Sequence, residues 1–410
     1  MGNPGQIAPA MRLFEPFRVP AFPALWAGQA FAAIGAEFYS VALVWTAADI
    51  LATQAGYISA VHAGVILVGA FLSGYWADLC RRSTAMVAAD VLRAGTALFL
   101  GAAYGLGAIN AGVLIGAAAL VALATAVFDP ALQASIPALI KEPQLRHQAN
   151  SLFDATKRMA RILSPVAIAA VASIAPKSYL FAITGLAFLG SLTMTLKVRP
   201  ALDADGSPAF AAPGLVAGMR LVLAERLVIA SLAGLVVSNF TWGLGMLLGM
   251  ALFLRQTSPT PLGDYGLIMA AYGVGNLATN LWLASQTPQR PAVWLIVSKL
   301  TFGIGICLLP FADSLATAMI IAAFAATNGP LENLAVLHLV QSRFPLDRLR
   351  YVFRIVLGAT FGGLFIAYAA SPVLFALYGL RPMIVAAGAL SLGAGVLGLV
   401  AYATVRHRQL

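Results

Sequence analysis

Residues 111–139 read AGVLIGAAALVALATAVFDPALQASIPAL, 29 residues whose one ionisable side chain is Asp129. As a helix rising about 1.5 Å per residue, this stretch exceeds the roughly 30 Å hydrocarbon core of a bilayer. Such runs recur in both directions. They give spans near 22–48, 55–77, 85–107, 111–139, 149–174, 178–198, 225–254, 263–285, 292–310, 314–342, 351–372 and 382–405, twelve in all. None shows the alternation of polar and apolar residues that marks a barrel strand. Hydrocarbon offers amide groups no outside partner, so each span is expected to be a helix. The expected fold class is all-α integral membrane, with twelve transmembrane helices.

Composition agrees, since 60% of residues are hydrophobic and 10% charged, with a mean hydropathy of +0.88. A soluble domain carries about 25% charged residues. The net charge of +10 follows the loops. With the N-terminus taken as cytoplasmic, that side holds Arg81, Arg82, Lys141, Arg146, Arg348 and Arg350 among many others, whereas the opposite side holds only Lys177, Arg255 and Arg381. This bias places both termini in the cytoplasm, and the expected location is the bacterial cytoplasmic membrane. The basic charge meets anionic headgroups of the lipid bilayer, and no nucleic-acid partner is expected. The first twenty residues hold four prolines and no continuous apolar core, so no cleavable signal peptide is expected. Cys80 falls in a loop and Cys307 in a span, a spacing that suggests neither a disulfide nor a metal site. No cofactor is expected.

The longest connection, 199–220, has the Pro, Gly, Ala and Asp of a linker. It divides the chain into an N-terminal six-helix bundle, 1–198, and a C-terminal one, 221–410. The halves repeat one another. Phe128-Asp129-Pro130-Ala131-Leu132-Gln133 corresponds to Asn328-Gly329-Pro330-Leu331-Glu332-Asn333, and the loop from Pro143 to that from Pro345. Both halves place a helix-breaking Pro at one depth, and Arg93 and Lys299 take equivalent places in spans three and nine.

Gly74-Tyr75-Trp76-Ala77-Asp78-Leu79-Cys80-Arg81-Arg82 resembles the loop after the second helix of the major facilitator superfamily. Asp90-x-x-Arg93, the run from Phe128 to Pro137, Ala149-Asn150-Ser151-Leu152 and Ala160-Arg161-Ile162-Leu163-Ser164-Pro165 are similar to the branch containing the enterobactin exporter and the macrolide efflux proteins. The resemblance covers nearly the whole chain and is stronger in its first half. It implies two pseudo-symmetric six-helix bundles, a central cavity lined by spans one, four, seven and ten, and export by alternating access. Two departures stand out. Leu79 and Arg81 replace the basic residue and the glycine of the family loop, so Arg81 or Arg82 is left to serve Asp78. The glycine-rich antiporter pattern of span five has become Ala160-x-x-x-Ser164-Pro165-x-x-Ile168-Ala169, small enough for close packing but without its glycines.

Charges within spans are costly and mark function or scaffold. Glu332 lies on the Pro330 turn with Asn328 and Asn333, and its counterpart Leu132 is apolar, so scaffold symmetry does not demand it. It is the first candidate for carrying protons. Glu37, near the middle of span one, is the second, read equally well as a carboxyl hydrogen-bonded between helices. Neither has an evident basic partner in its own span. Tyr39, Asn239 and Trp242 are cavity candidates with Asn328 and Asn333, although Asn239 and Trp242 fit ordinary packing better. Asp129 and Arg161 lie equally far from the turn between spans four and five and are expected to pair as a structural element. Asp90 with Arg93, and Asp154 with Lys157 and Arg158, are expected to form local pairs near the cytoplasmic interface.

The chain has no P-loop, no metalloprotease or nucleophile-elbow motif and only four His. It is therefore not expected to be an ATP-driven pump or an enzyme, and isolated charges do not make the polar pore of a channel. The expectation is a monomeric secondary transporter exporting a small amphipathic substrate, a siderophore or drug-like compound, in exchange for protons. An uptake permease or a lysolipid transporter of the same fold is the alternative. Single cysteines replacing Arg81 and Arg348 should react with impermeant maleimide from the cytoplasmic side alone. Labelling from outside would reverse the topology.

Overall fold

The structure is a computed structural model and describes residues 14–77, 81–204, 215–283 and 290–407. Twelve helical segments cross the fold in up-and-down order. In the first half these are α1 (Phe22–Leu51), α2 (Ala55–Ala77), α3 (Arg82–Gly105), α4 (Ala111–Leu139), α5 (Pro143–Ile174) and α6 (Ser178–Ala204). The second half holds α7 (Arg226–Thr257), α8 (Pro261–Leu283), α9 (Pro291–Leu308), α10 (Leu315–Arg343), α11 (Leu346–Tyr378) and α12 (Leu380–His407). Among the described residues every expected span is helical, with a break at 326–327 in the tenth. Nine stretches of the described residues are long and apolar enough to cross a membrane, the first of which, Phe22–Gly69, takes in α1 and most of α2. Helices α5 and α8 fall outside that set. The first half of α5 carries Arg146, Asp154, Lys157 and Arg158, with Arg161 just beyond its midpoint, and α8 carries Asp264, Asn276 and Asn280.

Helix ends follow local chemistry. Asn110 and Ser314 cap α4 and α10, accepting from the amides of Val113 and Thr317 at 3.1 Å each. The paired prolines act differently. Helix α4 runs unbroken through Pro130, whereas α10 is interrupted between Ala325 and Asn328, just before Pro330. Proline lacks the amide that would bond four residues back, which frees the Ala326 carbonyl. Asn276 of α8 donates to it at 3.5 Å. In α7 the segment Trp242–Gly249 is a π-helix, the widened turn that recurs at functional sites.

The region 199–220 is more helical than a linker. Helix α6 continues to Ala204, and Leu215–Leu223 forms a short helix against α11 and α7.

The two halves repeat one packing pattern. In the first half α3 packs on α6 and α4, α2 on α4, and α1 on α5 and α6, with the same relations among α9, α12, α10, α8, α7 and α11 in the second. Between the halves α2 meets α11 and α5 meets α8, two contacts that a two-fold axis exchanges. The close approach at α5 and α8 depends on glycine from α8. A Cβ on Gly266 would lie 2.7 Å from the Pro165 carbonyl, and one on Gly273 would lie 2.8 Å from Ile162. The glycines missing from α5 are thus supplied by its partner.

The buried apolar residues form three main clusters. One joins both halves, from Tyr39, Trp45 and Ile58 to Met246, Tyr265, Phe302 and Tyr368. All of it lies at the end remote from the chain termini. At the end bearing the termini the halves have separate cores, one around Phe22, Phe128 and Phe153 and one around Val228, Val336 and Val340. The fold is therefore sealed at one end and divided at the other.

Candidate functional site

The seam between α1 and α5 carries a ladder of polar contacts. Trp26 Nε1 donates to Thr156 Oγ1 at 2.9 Å, Gln29 Nε2 to the Phe153 carbonyl at 3.3 Å, and Arg161 Nε to Glu37 Oε1 at 3.4 Å. These α1 residues share one face by helical spacing. Glu37 is 29% exposed and Arg161 64%, so this pair stands open at mid-helix depth while the rungs toward the termini are more enclosed. From the second half, Trp242 of α7 packs on Tyr272 of α8 with ring centroids 4.7 Å apart. Tyr272 is close enough to Arg161 and to Glu332 to feel both charges.

Two buried ion pairs flank this open one. In the first half Arg93 bonds Asp90, whose other oxygen accepts from Ser191 at 2.9 Å and Thr195 at 3.1 Å. The Arg93 guanidinium lies over the rings of Phe128 at 3.9 Å and Phe188 at 4.7 Å. In the second half Lys299 of α9 bonds both Glu332 of α10 and Ser238 of α7. Arg93 and Lys299 thus anchor equivalent polar cores.

Several expected partners change. Arg161 turns to Glu37 rather than Asp129, because α4 packs against α2 and α3 while α5 presents this face to α1. Asp129 is exposed. Glu332 is paired after all, and buried, because its cation comes from α9 and not from its own helix. Glu37 likewise finds its cation on another helix. The Asp90–Arg93 pair is local, as expected, and is buried, being 0% and 2% exposed. The Asp154–Arg158 pair forms at 2.8 Å on an open flank of α5.

Tyr39 does not face an open cavity. It is buried in the shared core with its ring 5.8 Å from that of His62. Asn239 is half-buried and donates to the Leu235 carbonyl of its own helix at 2.8 Å. Asn328 is buried, and Asn333 on the next turn is exposed. Arg81 is exposed, and Arg82 is buried with Nη1 donating to the Ala134 carbonyl at 3.0 Å; Asp78 lies outside the described residues. No group of three His, Cys, Asp or Glu able to hold a metal occurs among the described residues.

Ser238 and Gln29 are the site residues that sequence reasoning missed, while Lys299 was legible only through its equivalence to Arg93, and Trp26 and Tyr272 only as aromatics in spans.

With this architecture in place, the family match is decisive. The model of the Major Facilitator Superfamily matches residues 25–349. The chain belongs to the Major Facilitator Superfamily. No curated protein matches it. The superfamily's transporters move solutes across membranes, and this superfamily chain accordingly places an open charge pair where its two halves face each other.

Lys299→Met would strand the Glu332 carboxylate in a dry site, at a cost of about 3–5 kcal/mol. It should sharply lower Tm in detergent, and adding Glu332→Leu should recover most of the loss. Glu37→Gln leaves Arg161 in contact with water and should barely move Tm. Equal losses for Lys299→Met and Glu37→Gln would contradict this division between scaffold and site.

Proposed function

We propose that this chain is a secondary active transporter of the bacterial cytoplasmic membrane that exports a small amphipathic organic molecule, a siderophore or drug-like compound, in exchange for protons. The single observation behind this reading is the Glu37–Arg161 pair. It is partly exposed at mid-helix depth, and it lies just inside the core that seals the end remote from the termini. A carboxylate at that place can be reached from the divided end and, once the halves rock, from the other. The likeness of the loops to the enterobactin and macrolide exporters supports the outward direction.

In this reading the buried Asp90–Arg93 and Lys299–Glu332 pairs hold their helices together, and Glu37 replaces Glu332 as the first coupling candidate. With Glu37 ionised, Arg161 is neutralised and the cargo lies against the Trp242–Tyr272 face. A proton on Glu37 removes the carboxylate charge, leaves Arg161 as an uncompensated cation and disfavours the cargo. Cargo and proton thereby exclude each other, which is what exchange requires. One proton moving down 100 mV supplies about 2.3 kcal/mol, enough to drive roughly a fiftyfold accumulation.

Purified protein in liposomes, with a pH gradient imposed and cargo flux followed for a panel of siderophores and macrolides, tests the reading. Wild-type flux should saturate and collapse with the gradient. Glu37→Gln should abolish the gradient dependence while retaining cargo binding. Flux by Glu37→Gln with unchanged dependence on the gradient would eliminate the pair as the coupling element.

A further inference from the structure

The sealed end is fastened by one residue whose contacts differ from the rest of the seam. Arg255, in the last turn of α7, reaches across to the other half and donates through Nη1 to the Ala48 carbonyl and through Nη2 to the Asp49 carbonyl at 3.3 Å. Its Nε lies 3.5 Å from the Asp49 carboxylate. The last carbonyls of a helix have no partner within it and carry the negative end of its dipole. The Ala48 carbonyl already accepts from the Ala52 amide, so the guanidinium from the second half is a second donor to it and also reaches the Asp49 carbonyl at the C-terminus of α1.

We propose that Arg255 and Asp49 form the latch that holds the two halves together at the end remote from the termini, and that releasing it is the step that opens that end. Glu37–Arg161, Asp90–Arg93 and Lys299–Glu332 each stay within one half. Arg255–Asp49 joins them. Lys177, from the connection between α5 and α6, takes the other oxygen of Asp49 and lies 5.9 Å over the Trp45 ring. Trp45 in turn sets its edge on Tyr265 of α8 at 5.7 Å. Asp49 is thereby held in place by its own half while Arg255 comes and goes. Arg381, third of the basic residues on this side, lies over Phe253 and Phe311 at 5.7 and 5.2 Å and stays within the second half.

Two properties suit a part that opens and recloses. Arg255 and Asp49 are 34% and 25% exposed, so solvent and salt weaken the pair and permit release, unlike the dry Lys299–Glu332 pair. The chain is also strained beside it. Ala52, directly after α1, holds φ 49° and ψ −122°, a left-handed conformation that an L side chain adopts only under constraint.

The latch is independent of cargo and coupling ion, and its test uses neither. In the full-length protein in detergent, with Cys80→Ser and Cys307→Ser, a single cysteine is placed either at Ala55, buried in the shared core, or at Asn333, exposed on α10. Maleimide labelling rates are then compared. Arg255→Gln should raise labelling at position 55 by roughly tenfold and lower it at position 333, because opening one end closes the other. Asp49→Asn should do the same to a smaller extent, since the carbonyl contacts survive. Raising NaCl to about 0.5 M should shift the unmodified pair in the same direction without any substitution there. Loosening of the fold would raise both rates together. A parallel rise at both positions, or no change with the substitutions and with salt, would overturn the proposal.

Discussion

An amide group in hydrocarbon has nothing to bond except another amide of its own helix, and the rest of the molecule follows from that constraint. Each crossing must be a helix, and wherever a helix is interrupted a neighbour has to supply the missing partner. Pro330 shows this directly, because the carbonyl it frees at Ala326 is met by the Asn276 side chain of α8. At the C-terminus of α1 a guanidinium from the opposite half meets the last carbonyls. The first contact meets a freed carbonyl within one half, and the second adds a donor between the halves to a helix end whose Ala48 carbonyl already accepts from Ala52.

The same constraint sorts the charges. Asp90–Arg93 and Lys299–Glu332 are dry, embedded in hydroxyl groups or aromatic faces, and removing either partner would strand the other. Glu37–Arg161 and Asp49–Arg255 are partly exposed and less tightly held. The buried cations Arg93 and Lys299 occupy equivalent places in the two halves, but their carboxylates do not, since Asp90 lies on the same helix as Arg93 and Glu332 on a different helix from Lys299. Both buried pairs hold helices in register, and the two exposed pairs are the looser ones.

Much of the scaffold was legible in the chain. All twelve spans, the repeat around Pro130 and Pro330 and the equivalence of Arg93 with Lys299 appear in the sequence, because length, hydropathy and spacing along one helix are local properties. The partners of the charges were much less so. Depth along a hairpin suggested Asp129 for Arg161, yet depth says nothing about the direction a helix face points, and α5 turns this face to α1. Glu332 looked unpaired because its cation lies on a different helix. Tyr39 looked like a cavity residue because aromatic character does not distinguish a lining from a core.

By itself, then, the sequence determined that the chain crosses a membrane as paired sets of six helices, since that depends only on the cost of exposing apolar surface to water and amides to lipid. The tertiary structure decided which charges are locked and which are open, which end is sealed by a core common to both halves, and that Arg255 closes over the end of α1. Those properties depend on the rotation of each helix about its axis and on the distance between halves. Neither is encoded in any single segment; both emerge only when all the helices are packed against one another.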